Sequence, residues 1–324
     1  MIKRLIEVNR EELTMLQGRP LLESIRLAEG RAVSAEVVAF RPPLIGGISN
    51  AELAAICGAD IIHLNHYDVD KPLIAGLPST EEGLRAWGKA GLCVNATNEI
   101  EEPFRRFLLE MGMGVTIKTL KILIGRVVGI SLDLVTDGVS APPGRLATPK
   151  TAAKAIEQGA AYITLVATPA ITPEALCSNV RELREGLGPE VVLVAGRMPW
   201  GGSLGNAPGF LSPVEVEKVV TAGAEIVMLP CPGTVPGATL ETIAISVATA
   251  HRLGTLAIVT IGTSQESSDV ETVRRLALDG KLIGADIYQI GDGGYSGIAI
   301  PENILVFATA IKGKRHTYRR MAST

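Results

Sequence analysis

Eight short runs of apolar, mostly β-branched residues, separated by amphipathic helical stretches, constrain the fold of this 324-residue chain more than any other feature. The runs cover 32–38, 60–64, 127–132, 162–166, 191–195, 225–229, 256–261 and 286–290. They lack a regular apolar–polar alternation, as strands covered on both faces do. Between them the pattern turns helical over 50–57, 149–158, 173–186, 213–222, 240–253 and 269–282. Three of these helices open on Thr148-Pro149, Thr172-Pro173 and Ser212-Pro213, a capping hydroxyl followed by Pro at the first helical position. Eight strand–helix units predict an α/β fold closed as a (β/α)8 TIM barrel rather than an open doubly wound sheet. The Gly-x-Gly-x-x-Gly fingerprint of a dinucleotide-binding sheet is missing from the first turn, which reads Leu44-Ile45-Gly46-Gly47.

A repeat supports the order. Four runs are entered through the same turn, at Gly58-Ala59, Gly159-Ala160, Gly223-Ala224 and Gly284-Ala285, spaced 101, 64 and 61 residues apart. The Gly caps the preceding helix and the Ala permits a tight approach to the sheet. The longer first spacing implies an insertion at 66–115, after the second strand. Residues 1–30 read as an N-terminal helical extension, and 1–324 as one barrel domain.

With only 4% aromatic residues, the core must be filled by Val, Ile, Leu and Ala. Thirty-one basic against 34 acidic residues leave a net charge of −3, which argues against nucleic acid as a partner. The basic cluster Lys312, Lys314, Arg315, His316, Arg319 and Arg320 reads as a solvated tail, with an anion or a neighbouring subunit as the alternative. A homo-oligomer is left open. Cys57, Cys93, Cys177 and Cys231 form no Cys-x-x-Cys pair and no secretory signal is visible, so the chain is expected in the cytoplasm with reduced thiols. No membrane span is expected, because the apolar stretch 248–261 is broken by His251, Arg252 and Gly254.

Barrel chemistry sits at the C-terminal ends of the strands, which sorts the polar residues. Glu36 lies within the first run, where an unpaired carboxylate is costly, so it is a structural partner of a cation such as Arg197, a general base or a metal ligand. His63 and Asn65 end the second run, with His66 and Asp68 weaker candidates beyond. Asp133 follows the third, Arg197 the fifth, and Glu266 lies in the loop after the seventh. Glu36, Asp133 and His63 are the catalytic candidates, and Asn65, Arg197 and Glu266 the substrate-binding ones. Glu36, Asp133 and Arg197 are expected to converge. Gly262, Thr263 and Ser264, with Gly293, Gly294, Ser296 and Gly297, are the phosphate-binding candidates: glycines admit an anion to backbone N–H groups and the hydroxyls add donors.

On this repeat order, and on Ile261-Gly262-Thr263-Ser264 and Gly291-Asp292-Gly293-Gly294, the chain resembles the phosphate-binding superfamily of (β/α)8 barrels. That group includes aldolases, epimerases and enzymes of tryptophan and thiamin synthesis. The chain also resembles uncharacterised bacterial barrels labelled phosphonomutase-like. The Lys-x-Cys-Gly loop and acidic run of the phosphoenolpyruvate mutase and isocitrate lyase group are absent. No lysine lies in the eight runs or just beyond them, which argues against a Schiff-base aldolase. The expected function is lyase or isomerase chemistry on a small phosphorylated or carboxylated metabolite, by proton abstraction next to a carbonyl. Mg2+ is the metal the carboxylates would take. The alternative is a non-catalytic barrel that binds a phosphosugar and regulates a partner; it would need the phosphate loops but no buried carboxylates.

Overall fold

The apolar runs close on themselves. In the computed structural model, which describes residues 2–77, 111–135, 141–168, 171–198, 209–294 and 296–323, eight parallel strands form a barrel in chain order. They are β1 Ala32–Val38, β2 Ile61–Asn65, β3 Val127–Leu132, β4 Tyr162–Ala167, β5 Val192–Arg197, β6 Ile226–Pro230, β7 Leu256–Ile261 and β8 Ile287–Ile290. Strand β8 pairs back onto β1 through Ala32 opposite Ile287 and Ser34 opposite Gln289.

The outer helices are α3 Asn50–Ile56, α4 Ile117–Ile124, α5 Pro149–Glu157, α6 Pro173–Leu187, α7 Pro213–Ala222, α8 Leu240–Arg252 and α9 Val270–Leu282. The hydroxyls of Thr148, Thr172 and Ser212 accept the expected capping bonds, each with Pro at the start of its helix. Of the insertion read at 66–115, residues 78–110 lie outside the described residues.

Side-chain alternation divides the sheet into two faces. Val33, Ala35, Ile62, Leu64, Leu193 and Ala195 belong to the larger apolar cluster, between strands and helices. Ala32, Ile61, Val127, Val192, Ile226 and Leu256 belong to a second cluster inside the barrel. Residues 2–29 form a 3-10 turn, α1 Arg10–Met15 and α2 Gly18–Arg26. Leu5, Leu13, Leu21 and Ile25 from this segment join the inner cluster and plug the barrel's N-terminal end. The other end carries the chemistry.

The basic C-terminus corrects the solvated-tail reading. It forms α10, Pro301–Met321, which runs with a break at Gly313 (φ 75°) and packs against α9, α3 and β1. Its apolar stripe Ile304, Phe307, Ala308 and Ile311 is buried. Lys312 and Arg320 are buried too and pair with Asp60, at 2.6 and 2.7 Å. Burial pulls the Lys312 ammonium down to about 8, against the opposing pull of Asp60.

Candidate active site

The inward positions grow more polar toward the C-terminal mouth. Ser34 Oγ lies 3.3 Å from Gln289 Oε1. Above them His63 is held on both sides, Nδ1 at 3.2 Å from Tyr162 Oη and Nε2 at 2.7 Å from Ser131 Oγ. The two rings stack with centroids 5.8 Å apart. Glycine at 129 makes this possible, since a Cβ there would lie 2.1 Å from the Tyr162 ring. His63 is buried, and desolvation pulls its imidazole down to about 4. It is therefore neutral at pH 7, with both ring nitrogens engaged inside the protein.

Glu36 is the next inward residue on β1 after Ser34 and is partly accessible from the mouth. Desolvation raises its carboxyl well above the ordinary 4.5, and the charges of Asp292 and Glu266 raise it further. Glu266 sits on the 3-10 turn Gln265–Ser267 that follows β7. Its loop position suggests exposure, yet the residue is only 2% exposed and its Oε2 has no hydrogen-bond partner. Burial raises this carboxyl as well, with Asp292 adding to the shift. Asp292, just past β8, accepts a hydrogen bond of 3.3 Å from Asn65 Nδ2. One wall of the mouth therefore holds three carboxyl groups, and the charge of Asp292 raises the cost of ionising both Glu36 and Glu266.

A second group centres on an ion pair. Asp133, inward-facing beyond the end of β3, pairs with Arg145 at 2.8 Å, and its backbone bridges Leu146. His66 ends β2 in a left-handed conformation (φ 59°), a strained geometry for a residue with a side chain. Its imidazole is lowered first by burial, then by Arg145, while Asp133 and Asp292 oppose the shift and Arg41 adds to it. His66 thus lies within electrostatic reach of both groups, and Arg41 stacks on Phe40 at 5.6 Å beside it.

Arg197 does not join this group. Met198 packs with the inner cluster and Ala195 with the outer one, so alternation turns Arg197 to the helix side. There its charge acts on Glu174 of α6. The expected convergence of Glu36, Asp133 and Arg197 is corrected: Glu36 and Asp133 face the mouth, and Arg145 supplies the cation.

The two loops read as phosphate-binding do adjoin. Thr263 and Ser264 take left-handed conformations (φ 57° and 79°), as do Gly293 and Gly294 (φ 70° and 64°). Several of their donors are already engaged. The N–H groups of Ser296 and Gly297 bond to the carbonyls of Gly293 and Asp292, at 3.2 and 3.0 Å. The Thr263 hydroxyl faces the Thr234 carbonyl at 3.0 Å. Glu266 and Asp292, in the same loops, make the local field negative. Among the described residues no three His, Cys, Asp or Glu side chains are placed to hold a metal ion. Of the two carboxylates either of which could take Mg2+, Asp133 is engaged by Arg145.

Sequence reasoning missed Asp292 and Arg145, and ranked His66 below its place here. Asp292 hides in a glycine-rich turn that reads as a phosphate loop. Arg145 comes from a segment with no strand or helix pattern, brought in only by its ladder with Asp133.

Together these features define a (β/α)8 barrel with a polar, acid-rich C-terminal mouth. The chain belongs to the family described as a domain of unknown function (DUF7916), whose model matches residues 6–324. No curated protein matches it. Among solved structures it is similar to the carboxyl transferase domain of Rhizobium etli pyruvate carboxylase, at 11% identity and TM-score 0.51, over 96% of this chain and 51% of that one. The chain thus spans about half the length of that structure. An archaeal fructose 1,6-bisphosphate aldolase matches at 13% identity and TM-score 0.47, over 88% of this chain and 95% of that chain. At such identities the likeness is one of barrel fold. Among the described residues no helix is long and apolar enough to cross a membrane.

Proposed function

We propose that this protein is an enzyme that removes a proton next to the carbonyl of a small phosphorylated or carboxylated metabolite, without a lysine imine. The observation that carries the reading is Glu36, a carboxyl group desolvated at the mouth and raised by two acidic neighbours. A base tuned upward in this way is matched to carbon acids at neutral pH. A regulatory binding barrel has no use for such a group. The substrate's anionic end is placed at Arg145, with Arg41 near it, rather than at Arg197. Gly262 and Gly294, where an added Cβ would meet nothing within 4 Å, leave room for the substrate's far end. No lysine among the described residues lies on a barrel strand, and Lys71 and Lys118 are exposed. Whether the resulting enolate is cleaved, isomerised or rearranged, as the phosphonomutase-like resemblance implies, the first step is the same.

The test is proton exchange. A panel of phosphorylated and carboxylated aldehydes and ketones is incubated with the protein in D2O, and loss of the C–H signal is followed by proton NMR. Exchange is expected for at least one compound, and Glu36→Gln should slow it by about 10²–10⁴-fold. Borohydride reduction with that compound should leave the protein mass unchanged; a reduced lysine adduct would overturn the proposal.

A further inference from the structure

We propose that Glu266 is a second catalytic group of this mouth, a neutral carboxylic acid that donates from Oε2 to the substrate's carbonyl oxygen while Glu36 takes the proton from the adjacent carbon. This rests on the enolate reading above. The placement is built rather than incidental. Left-handed Thr263 and Ser264 turn the chain after β7, and the Asn303 side chain anchors the turn by donating to the carbonyls of Glu266 and Ser268, at 3.0 and 2.8 Å. Across from it, a Cβ on Gly291 would press on the Ile261 carbonyl oxygen at 3.0 Å, so glycine lets the end of β8 lie close against the start of this turn.

The hydrogen bonding also points to a ligand. An ionised carboxylate offers about four acceptor sites. Glu266 receives a long 3.4 Å side-chain bond from Ser267 Oγ on Oε1, and Oε2 is buried with no hydrogen-bond partner. Among the described residues it makes no ion pair with a basic side chain, and a buried, unpaired carboxylate costs several kcal/mol. The acid form avoids that cost and presents an O–H in want of an acceptor. Beside Asp292, Glu36 and Glu266 do not both ionise cheaply; the unpartnered Oε2 assigns the retained proton to Glu266 and leaves Glu36, partly accessible at the mouth, as the base. Burial raises Glu266 in the same sense, outweighing the backbone N–H groups of Glu266 and Ser264 that favour the anion.

The electrons balance without a co-reactant. The C–H pair becomes the carbon–carbon double bond, the carbonyl π pair moves onto oxygen, and the Glu266 O–H holds that oxygen. The proton on Glu36 returns to carbon in the reverse step.

Carbon-13 labelling of the glutamate carboxyls, with Glu266→Gln identifying the signal by difference, reads the protonation state of the intact protein. The Glu266 signal should be that of the acid at neutral pH; the chemical shift of an ionised carboxylate there would overturn the proposal. In the exchange assay, Glu266→Ala should lower kcat by about 10²–10³-fold with little change in KM. Glu266→Gln, whose amide N–H still donates, should recover about tenfold of that loss. If Glu36→Gln abolishes exchange while both Glu266 variants keep the wild-type kcat, this inference fails and the enolate reading stands. If Glu36→Gln leaves exchange intact, the enolate reading itself fails.

Discussion

A glutamate in the middle of a buried strand is expensive, and the chain spends that stability at position 36. Because the folded carboxyl is raised, the folded protein keeps a proton that the unfolded chain releases above about 4.5. Glu36 therefore destabilises the fold increasingly as pH rises above that value, up to the pH at which it ionises in the folded state. Glu36→Gln should match the wild type in Tm near pH 4 and exceed it by a growing margin toward alkaline pH. A Tm difference that does not change with pH would contradict the raised carboxyl. At this scale the sequence was partly legible. A charge within an apolar run marked Glu36, and period two by itself sets Arg197 on the opposite face from Met198 and Gly196. The burial of Glu266 was not legible, because a loop residue has no periodicity from which to read its environment.

The eight strands were legible as elements because parallel strands, covered on both faces, must be apolar along their length. Their C-terminal ends were legible at β1, β3, β7 and β8 but not at every strand. Strand β4 extends to Ala167 and β5 to Arg197, paired with each other by backbone bonds that do not depend on side-chain type. Helix α10 was overlooked because its second half is basic, although the spacing of Ile304, Phe307, Ala308 and Ile311 is helical. What makes that half fold is Asp60 at the foot of β2, which accepts from both Lys312 and Arg320. Beside it, buried Arg126 donates to the carbonyls of Ala59, Ala55 and Arg320, tying α3 and α10 to the barrel floor. Burial alone would raise Asp60, but Lys312 and Arg320 outweigh it and hold the carboxyl below its ordinary 3.8. Its contribution is present above that pH and is lost as acid protonates it. Asp60→Asn strands two buried cations and should cost about 3–5 kcal/mol in denaturant unfolding. Adding Lys312→Met to it should recover part of the loss; equal or greater destabilisation would show that the pair does not couple.

Across the whole molecule, the two ends of the barrel divide the work. The N-terminal end is plugged by Leu5, Leu13, Leu21 and Ile25 and stitched to the C-terminal helix, with Arg320 donating to the carbonyls of Leu5 and Val8. That closed floor leaves the polar layers of His63, Ser131 and Gln289 facing upward, and above them the mouth gathers Glu36, Glu266 and Asp292. The central claim is that Glu36 is a carboxyl raised at this mouth by burial and by the charge of Asp292, beside the neutral acid Glu266. The most direct measurement is the titration of the carbon-13-labelled Glu36 carboxyl in the wild type and in the Glu266→Gln and Asp292→Asn variants. The midpoint should lie well above 4.5 in the wild type and move back toward that value in Asp292→Asn, which removes a charge, whereas Glu266→Gln, which replaces a neutral acid, should leave it nearly in place. A wild-type midpoint at or below 4.5, or one indifferent to Asp292→Asn, would contradict it.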